Sequence, residues 1–331
     1  MTDLMRAAII HAWGGPDRLQ PGHIRRPVPR PGWLRVRVEA CALNHLDILV
    51  RRGLPGVRLE LPHVSGGDVV GIVEQATDEV GEKLVGRRVL LDPIIGRGIL
   101  GEHHWGGLAE YVVAPAENAI PLPDDRGDPT RFAALPISYA TAHRMLFTRA
   151  RLRAGETMLL FGATGGVGLA CVQFAIRAGA QVIACSGSPD KLARLRELGV
   201  GESIDVGRED VRARVKEITG GVGVDVVVDY QGKDTWPTSL RCVRRGGRIV
   251  TCGATTGFEA TTDLRYLWSR EVDILGSNAW SRHDLETVLE LVTTKELEPV
   301  VHADFPLSRV REAVAELEER RAFGKVVVRV D

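Results

Sequence analysis

Apolar residues follow two rhythms along this chain. Through the first third they form short runs broken by Gly and Pro, at residues 7–10, 34–40, 69–74, 88–91 and 109–113, which predicts a β-rich region. From Met158 onward, runs short enough for buried strands alternate with stretches of helical spacing. The runs fall at 158–161, 181–185, 203–205, 224–229, 247–251 and 273–276, and such alternation predicts a parallel, doubly wound α/β sheet. Residues 139–147 read as helical and lead into this second region. Residues 169–178 have helical spacing with Gly179 as a stop, and Ser188-Pro189 starts a helix that carries Leu192, Leu195 and Leu198 on one face and ends at Gly199. After Ser277 come two more helices, one with Leu285, Val288, Leu289 and Val292 at core spacing and one with Val310, Val314 and Leu317. A last strand, 325–330, closes the chain.

Between the first strand and first helix of the second region, residues 159–168 read Leu-Leu-Phe-Gly-Ala-Thr-Gly-Gly-Val-Gly. A strand, glycine turn and helix in this order aim backbone N–H groups and the positive end of a helix dipole at one spot, and small residues let a pyrophosphate come close. The spacing departs from G-x-G-x-x-G: counting back from Gly168 gives Gly165 and then Ala163, which is small enough to turn. Any α/β protein can use glycines for a tight turn. Here a second strand follows at the distance a β-α-β unit requires, so the segment reads as a dinucleotide site.

The 331 residues leave room for two domains, and 44% hydrophobic with 26% charged is ordinary globular composition. Positive and negative side chains balance at 43 each, without a long like-charge block, which argues against nucleic acid or an anionic membrane and for a small-molecule partner. The five cysteines (Cys41, Cys171, Cys185, Cys242, Cys252) are odd in number and contain no C-x-x-C, the usage of reduced thiols in the cytoplasm. The first ten residues lack the apolar core of a signal peptide, and no run reaches membrane-spanning length.

Five strings in order sharpen the picture: Ala42-Leu-Asn-His-Leu-Asp47, Leu61-Pro-His-Val-Ser-Gly-Gly-Asp68, Gly106-Gly-Leu-Ala-Glu-Tyr111, Thr251-Cys-Gly-Ala-Thr-Thr-Gly257 and Phe323-Gly-Lys325. With the β-rich start and the six-strand alternation, they resemble the medium-chain dehydrogenase/reductase superfamily over nearly the whole chain. The branch resembled holds zinc-type alcohol dehydrogenase-like proteins, quinone reductases and short-chain enoyl-CoA reductases. The resemblance implies a GroES-like catalytic domain, residues 1–129 and 279–331, interrupted by a Rossmann domain, 130–278, with the active site in the cleft between them.

At the positions where zinc-using members carry Cys, a His-Glu pair and a second Cys, this chain has Asn44, Gly67 with Asp68, and Ile137. Glycine and isoleucine offer no side-chain donor, so no catalytic zinc is expected. The four-cysteine lobe of zinc-binding relatives is missing too, because Asp92-Pro93 is followed shortly by Gly101-Glu102-His103 with no cysteine between. His103 and His104 read as polar loop residues in preference to metal ligands.

The resemblance also places cofactor contacts. Gly165, Gly166, Val167 and Gly168 are expected under the pyrophosphate, Thr141 against the nicotinamide, Cys252, Gly253, Ala254 and Ser277 at the nicotinamide end, and Lys325 near the cleft. An acid after the second strand would accept both ribose hydroxyls and repel a 2′-phosphate. The chain has Ser186, Gly187 and Ser188 there, with Lys191 one turn on, so NADPH is expected ahead of NADH, although Asp190 is a charge against it.

Without a zinc ion to polarise an alcohol, the expected reaction is reduction of a conjugated C=C by hydride transfer to the β-carbon, on a short 2-enoyl-CoA of the acryloyl, crotonyl or 3-methylcrotonyl type. Asn44, His45 and Tyr139 are the expected donors to the enolate oxygen, His45 and Asp47 being read as turn residues. The alternatives are a quinone or aldehyde/alcohol oxidoreductase and a non-enzymatic NADPH-binding protein. The last strand of the Rossmann sheet, 273–276, is expected at an edge covered by a second copy, giving a homodimer.

Overall fold

The computed structural model describes residues 3–53, 59–123 and 127–330. The chain divides into two compact units, residues 1–137 with 285–331, and residues 138–284. Both boundaries fall a few residues later than the sequence suggested. The short helix Pro129–Ala133 packs on strands Trp33–Ala42 and Asp68–Ala76 of the first unit. At the other boundary, Asp284 bonds His143 of the second unit at 2.8 Å.

In the first unit, seven strands form one sheet in the order Val301–Pro306, Lys325–Arg329, Trp33–Ala42, Asp68–Ala76, Arg88–Leu91 and Ala119–Pro121, with Tyr111–Pro115 also paired to Trp33–Ala42. The period-2 alternation of Trp33–Ala42 explains its place at the centre. Leu34, Val36 and Val38 point one way and are all buried, packing with Val69, Val73, Val89 and Val112. A separate antiparallel pair joins Leu4–Ile10 to Leu19–Arg25. The run expected at 109–113 begins instead at Tyr111. The chain before it is held in close backbone packing, where a Cβ on Gly106 would lie 2.2 Å from the Gly66 carbonyl oxygen. His45 and Asp47, expected on a turn, lie in the helix His45–Arg52, and their segment is corrected accordingly. Asn44 is its N-cap and Asp47 completes a capping box, a start signal that the sequence carries in N-x-x-D form.

The second unit is a six-stranded parallel sheet in the order Glu202–Asp205, Gln181–Ser186, Thr157–Leu160, Val224–Val228, Val243–Thr251, Asp273–Gly276. Counted along the chain this is 3-2-1-4-5-6, the doubly wound dinucleotide-binding order. Met158, Leu159, Leu160, Val226, Val227 and Val228 are all fully buried, as strands covered on both faces must be. Among the described residues, Asp273–Gly276 pairs only with Val243–Thr251, so one edge of the sheet ends there. Among the described residues, no helix is long and apolar enough to cross a membrane.

Candidate active site

The positions that would hold zinc are filled by a side-chain network of the first unit. Lys325 reaches from the last strand, and its Nζ donates to Asn44 Oδ1 at 2.6 Å and to Asp68 Oδ2 at 2.9 Å. Asn44 Nδ2 donates to the same Asp68 oxygen at 2.8 Å, and Asp68 Oδ1 accepts the Ile137 N–H at 2.8 Å. Asp68 is 0% and Lys325 2% exposed, so the pair is removed from water and both charges are answered inside the core. Gly67 has no room for a side chain: a Cβ there would meet Ile137 Cδ1 at 2.8 Å and the Leu100 carbonyl oxygen at 2.9 Å. One carboxylate, already bonded to Lys325, Asn44 and the Ile137 N–H, beside an amide, an aliphatic side chain and a glycine, falls short of the donors a zinc site needs. Among the described residues, no group of three or more His, Cys, Asp or Glu side chains could hold a metal ion. His103 Nδ1 accepts the Ile99 N–H at 3.3 Å, and His104 meets the edge of Trp33, centroids 5.9 Å apart.

Lys325, expected at the cofactor, thus has its ammonium in the core of the first unit. Asn44, expected to face substrate, turns its amide inward. Asp47 accepts the Asn44 N–H at 2.7 Å and the Gly66 N–H at 2.8 Å, and burial, against the pull of these bonds, pushes its carboxyl up to about 6. Burial, then Asp47 and Asp68, hold the neighbouring Cys41 thiol well above its ordinary range. His45 differs from both. It is exposed, and desolvation by its neighbours, then Arg320 and Arg52, lower its imidazole pKa, so the ring is neutral near pH 7 and carries one N–H to donate.

In the second unit, the turn after Thr157–Leu160 delivers the chain into the helix Gly166–Arg177. Its N-cap is Gly165, without a side-chain cap, so the first-turn N–H groups, including those of Gly166, Val167 and Gly168, have no intrahelical partner. A helix start of this kind has the N–H donors and dipole to hold an anion. Gly168 must be glycine, since a Cβ would lie 2.3 Å from the Gly162 carbonyl oxygen. The residue that makes the tight turn is Gly162, at φ +70°, and not Ala163. Counting in threes back from Gly168 and Gly165 reaches Gly162, a signal that the G-x-G template passes over.

At the second strand's end, the Ser188 N–H donates to Ser186 Oγ at 3.3 Å, and Ser188 caps the next helix by accepting the Lys191 N–H at 3.5 Å. No acid stands between Ser186 and Ser188. Asp205, paired in register with Ser186, spends Oδ1 on the Gly207 N–H at 2.9 Å. The residues after Thr251 fold back on those after Val228, with the Thr255 N–H on the Tyr230 carbonyl at 3.1 Å, which sets Cys252, Gly253 and Ala254 at the ends of the strands. Burial pushes the Cys252 thiol up to about 12, so it is no nucleophile at neutral pH. Ser277 is 7% exposed, and its buried Oγ has no hydrogen-bond partner among the described residues. An orphaned hydroxyl at the end of the sixth strand suits a polar ligand group there. Thr141 is buried at the start of a short helix. Tyr139, expected as a donor to substrate, is 1% exposed and donates to Gln173 Oε1 at 2.8 Å, inside its own unit.

Residues 166–294 match the family model for a zinc-binding dehydrogenase, and residues 30–124 match that for an alcohol dehydrogenase GroES-like domain. The chain is 34% identical to a quinone oxidoreductase from Pseudomonas aeruginosa, covering 96% of this chain and 97% of that one. It is also 34% identical to a 2-haloacrylate reductase from Burkholderia sp, over 77% of this chain and 74% of that one. Among solved structures, an NAD-dependent alcohol dehydrogenase superposes with a TM-score of 0.92 at 38% identity, over 99% of this chain and 100% of the other.

Proposed function

Because the chain belongs to the medium-chain dehydrogenase/reductase superfamily, oxidoreductases that use a nicotinamide cofactor, we propose that it is a zinc-independent, NADPH-dependent reductase of conjugated C=C bonds. Short 2-enoyl-CoA thioesters of the acryloyl, crotonyl or 3-methylcrotonyl type are the substrates put first. The observation that carries this reading is the Lys325–Asp68–Asn44 network with Gly67 against Ile137, in the place of a catalytic metal centre. The metal-assisted route to alcohol oxidation uses a Lewis acid to polarise the oxygen, and these residues do not supply the donor set to hold one. A conjugated acceptor asks only for a hydride at the β-carbon, hydrogen bonds to the enolate oxygen and a proton at the α-carbon.

When bound, the nicotinamide supplies the hydride. The chain does the rest. The uncapped helix start behind Gly165, Gly166, Val167 and Gly168 holds the pyrophosphate, the hydroxyl of Ser277 takes a polar group at the nicotinamide end, beside the backbone that follows Thr251 at Cys252, Gly253 and Ala254, and Thr141 is assigned to the nicotinamide by the family resemblance. Ser186, Ser188 and Lys191 accept a 2′-phosphate, in preference to the bare ribose of NADH. His45 takes first place as donor to the enolate oxygen, since Asn44 Nδ2 is spent on Asp68 and the Tyr139 hydroxyl on Gln173.

Quinone reduction is the second reading, favoured by relatives named quinone oxidoreductase that match along almost the whole chain. The 2-haloacrylate reductase favours the first. NADPH oxidation against a panel of enoyl-CoA thioesters, quinones and aldehydes separates them, and binding without turnover on any acceptor would defeat both. The edge strand Asp273–Gly276, with Ile274 exposed on it and Leu264 and Trp268 exposed in the segment before it, supports a homodimer in which a second copy covers that edge. A monomer mass by light scattering at micromolar concentration would contradict it. Five unpaired cysteines, four of them buried, suit the reducing cytoplasm.

A further inference from the structure

Gly162 lies in the turn two residues beyond the first strand of the parallel sheet, Thr157–Leu160, and its carbonyl oxygen is the point on which the glycine turn closes. Two groups donate to it. One is the Gly165 N–H, from within the turn, at a long 3.3 Å. The other is the Tyr230 hydroxyl, at 2.7 Å. Tyr230 stands two residues beyond Val228, on the neighbouring strand, which pairs in parallel with the first through Leu160 and Val228. Its ring runs beneath the turn. A Cβ on Gly162 would lie 3.2 Å from the Tyr230 oxygen, and a Cβ on Gly168 would lie 2.7 Å from it. The phenol therefore packs against the first and last glycines of G-x-x-G-x-x-G at once. Burial, with Cys171, Cys252 and Asp229 adding to it, holds the Tyr230 pKa well above its ordinary value, so the group remains a donor across the working pH range.

We propose that Tyr230 is a positioning residue for the dinucleotide, a pin that fixes the Gly162 carbonyl and so the direction of the N–H groups at the start of helix Gly166–Arg177. This rests on the reading that those N–H groups hold the pyrophosphate. Gly162 has positive φ and no side chain, so nothing of its own locks its peptide plane. With the hydroxyl gone, the carbonyl keeps, among the described residues, only the long bond from Gly165. The turn then samples orientations in which the N–H groups diverge, and a ligand must bear the cost of gathering them.

The test is Tyr230→Phe in the full chain, which removes one oxygen and keeps the ring. Dissociation constants are measured for NADPH, NADH, ADP-ribose and adenosine 2′-monophosphate, the last lacking a pyrophosphate. The pin predicts roughly five- to tenfold weaker binding of the first three, about 1 to 1.4 kcal/mol, with adenosine 2′-monophosphate unchanged. Wild-type protein that binds no dinucleotide overturns the pyrophosphate reading and this proposal with it. Wild-type binding matched by the variant for all four ligands overturns the pin alone. Equal weakening of all four, including adenosine 2′-monophosphate, marks a general structural loss and overturns it as well. Should the variant not fold, amide exchange in the wild type decides: the pin requires slow exchange at Gly165 before any ligand is added, and fast exchange there contradicts it.

Discussion

Lys325 Nζ lies 2.9 Å from Asp68 Oδ2, a salt bridge with both partners inside the core. Breaking such a pair by removing one partner leaves a buried charge unanswered, at a cost of about 3 to 5 kcal/mol. Lys325→Met is expected to lose stability on that scale in urea unfolding. Lys325→Met with Asp68→Asn should regain most of it, since the Asn oxygen can still accept the Ile137 N–H. A double variant as unstable as the single would show that the charge pairing is not what the site needs.

Gly67 and Ile137 occupy one another's space. Gly67→Ala is expected to cost about 1 to 3 kcal/mol through overpacking against Ile137 and the Leu100 carbonyl, and Ile137→Ala in the same chain should relieve part of it. The same crowding means that the purified protein should carry far less than one zinc per chain after dialysis, by elemental analysis. Stoichiometric, tightly held zinc would refute the reading of this site.

Asp47 gives stability a pH dependence of unusual sign. Its carboxyl titrates at about 6 in the folded chain against an ordinary 3.8, so between these values the folded state holds a proton that the unfolded state releases. Stability from this group is present below about pH 4 and is lost as pH rises through about 6, by up to about 3 kcal/mol. Asp47→Asn is neutral at every pH. The stability of the wild type relative to this variant should therefore grow as pH falls from 7 to 4, and a difference independent of pH would count against it.

In the proposed NADPH site, the charge that tells a 2′-phosphate from a bare ribose is assigned to Lys191. Lys191→Ala should weaken NADPH binding by about 10- to 100-fold and leave NADH nearly untouched, since a hydrogen bond to a charged group contributes roughly 1.5 to 3 kcal/mol. Equal losses for both cofactors would remove Lys191 from the 2′-phosphate.

The doubly wound sheet was legible because its strands are apolar runs at regular distance, and Asp273–Gly276 appears in the structure at the residues expected. The donor-poor residues at the zinc positions were legible as well, since Gly67 and Ile137 carry their chemistry in their names. What fills the space was not. Lys325 lies 257 residues from Asp68 along the chain, and nothing local to either announces the pair. Tyr139 and Asn44 read as donors from position alone, whereas the partners that claim them, Gln173 and Asp68, come from other elements. Gly162 was passed over for a different reason: Ala163 satisfied the G-x-G template in size, but only a positive φ marks the residue that turns.

The central claim, reduction of a conjugated C=C without a metal, is tested most directly by following the hydride. NADPH carrying deuterium at the transferable position is incubated with crotonyl-CoA and a chelator, and the product is examined by NMR. The expected result is saturated butyryl-CoA with deuterium on the β-carbon, formed at the same rate with or without the chelator. Deuterium on the carbonyl-derived carbon, or turnover that collapses when zinc is withdrawn, would contradict the account.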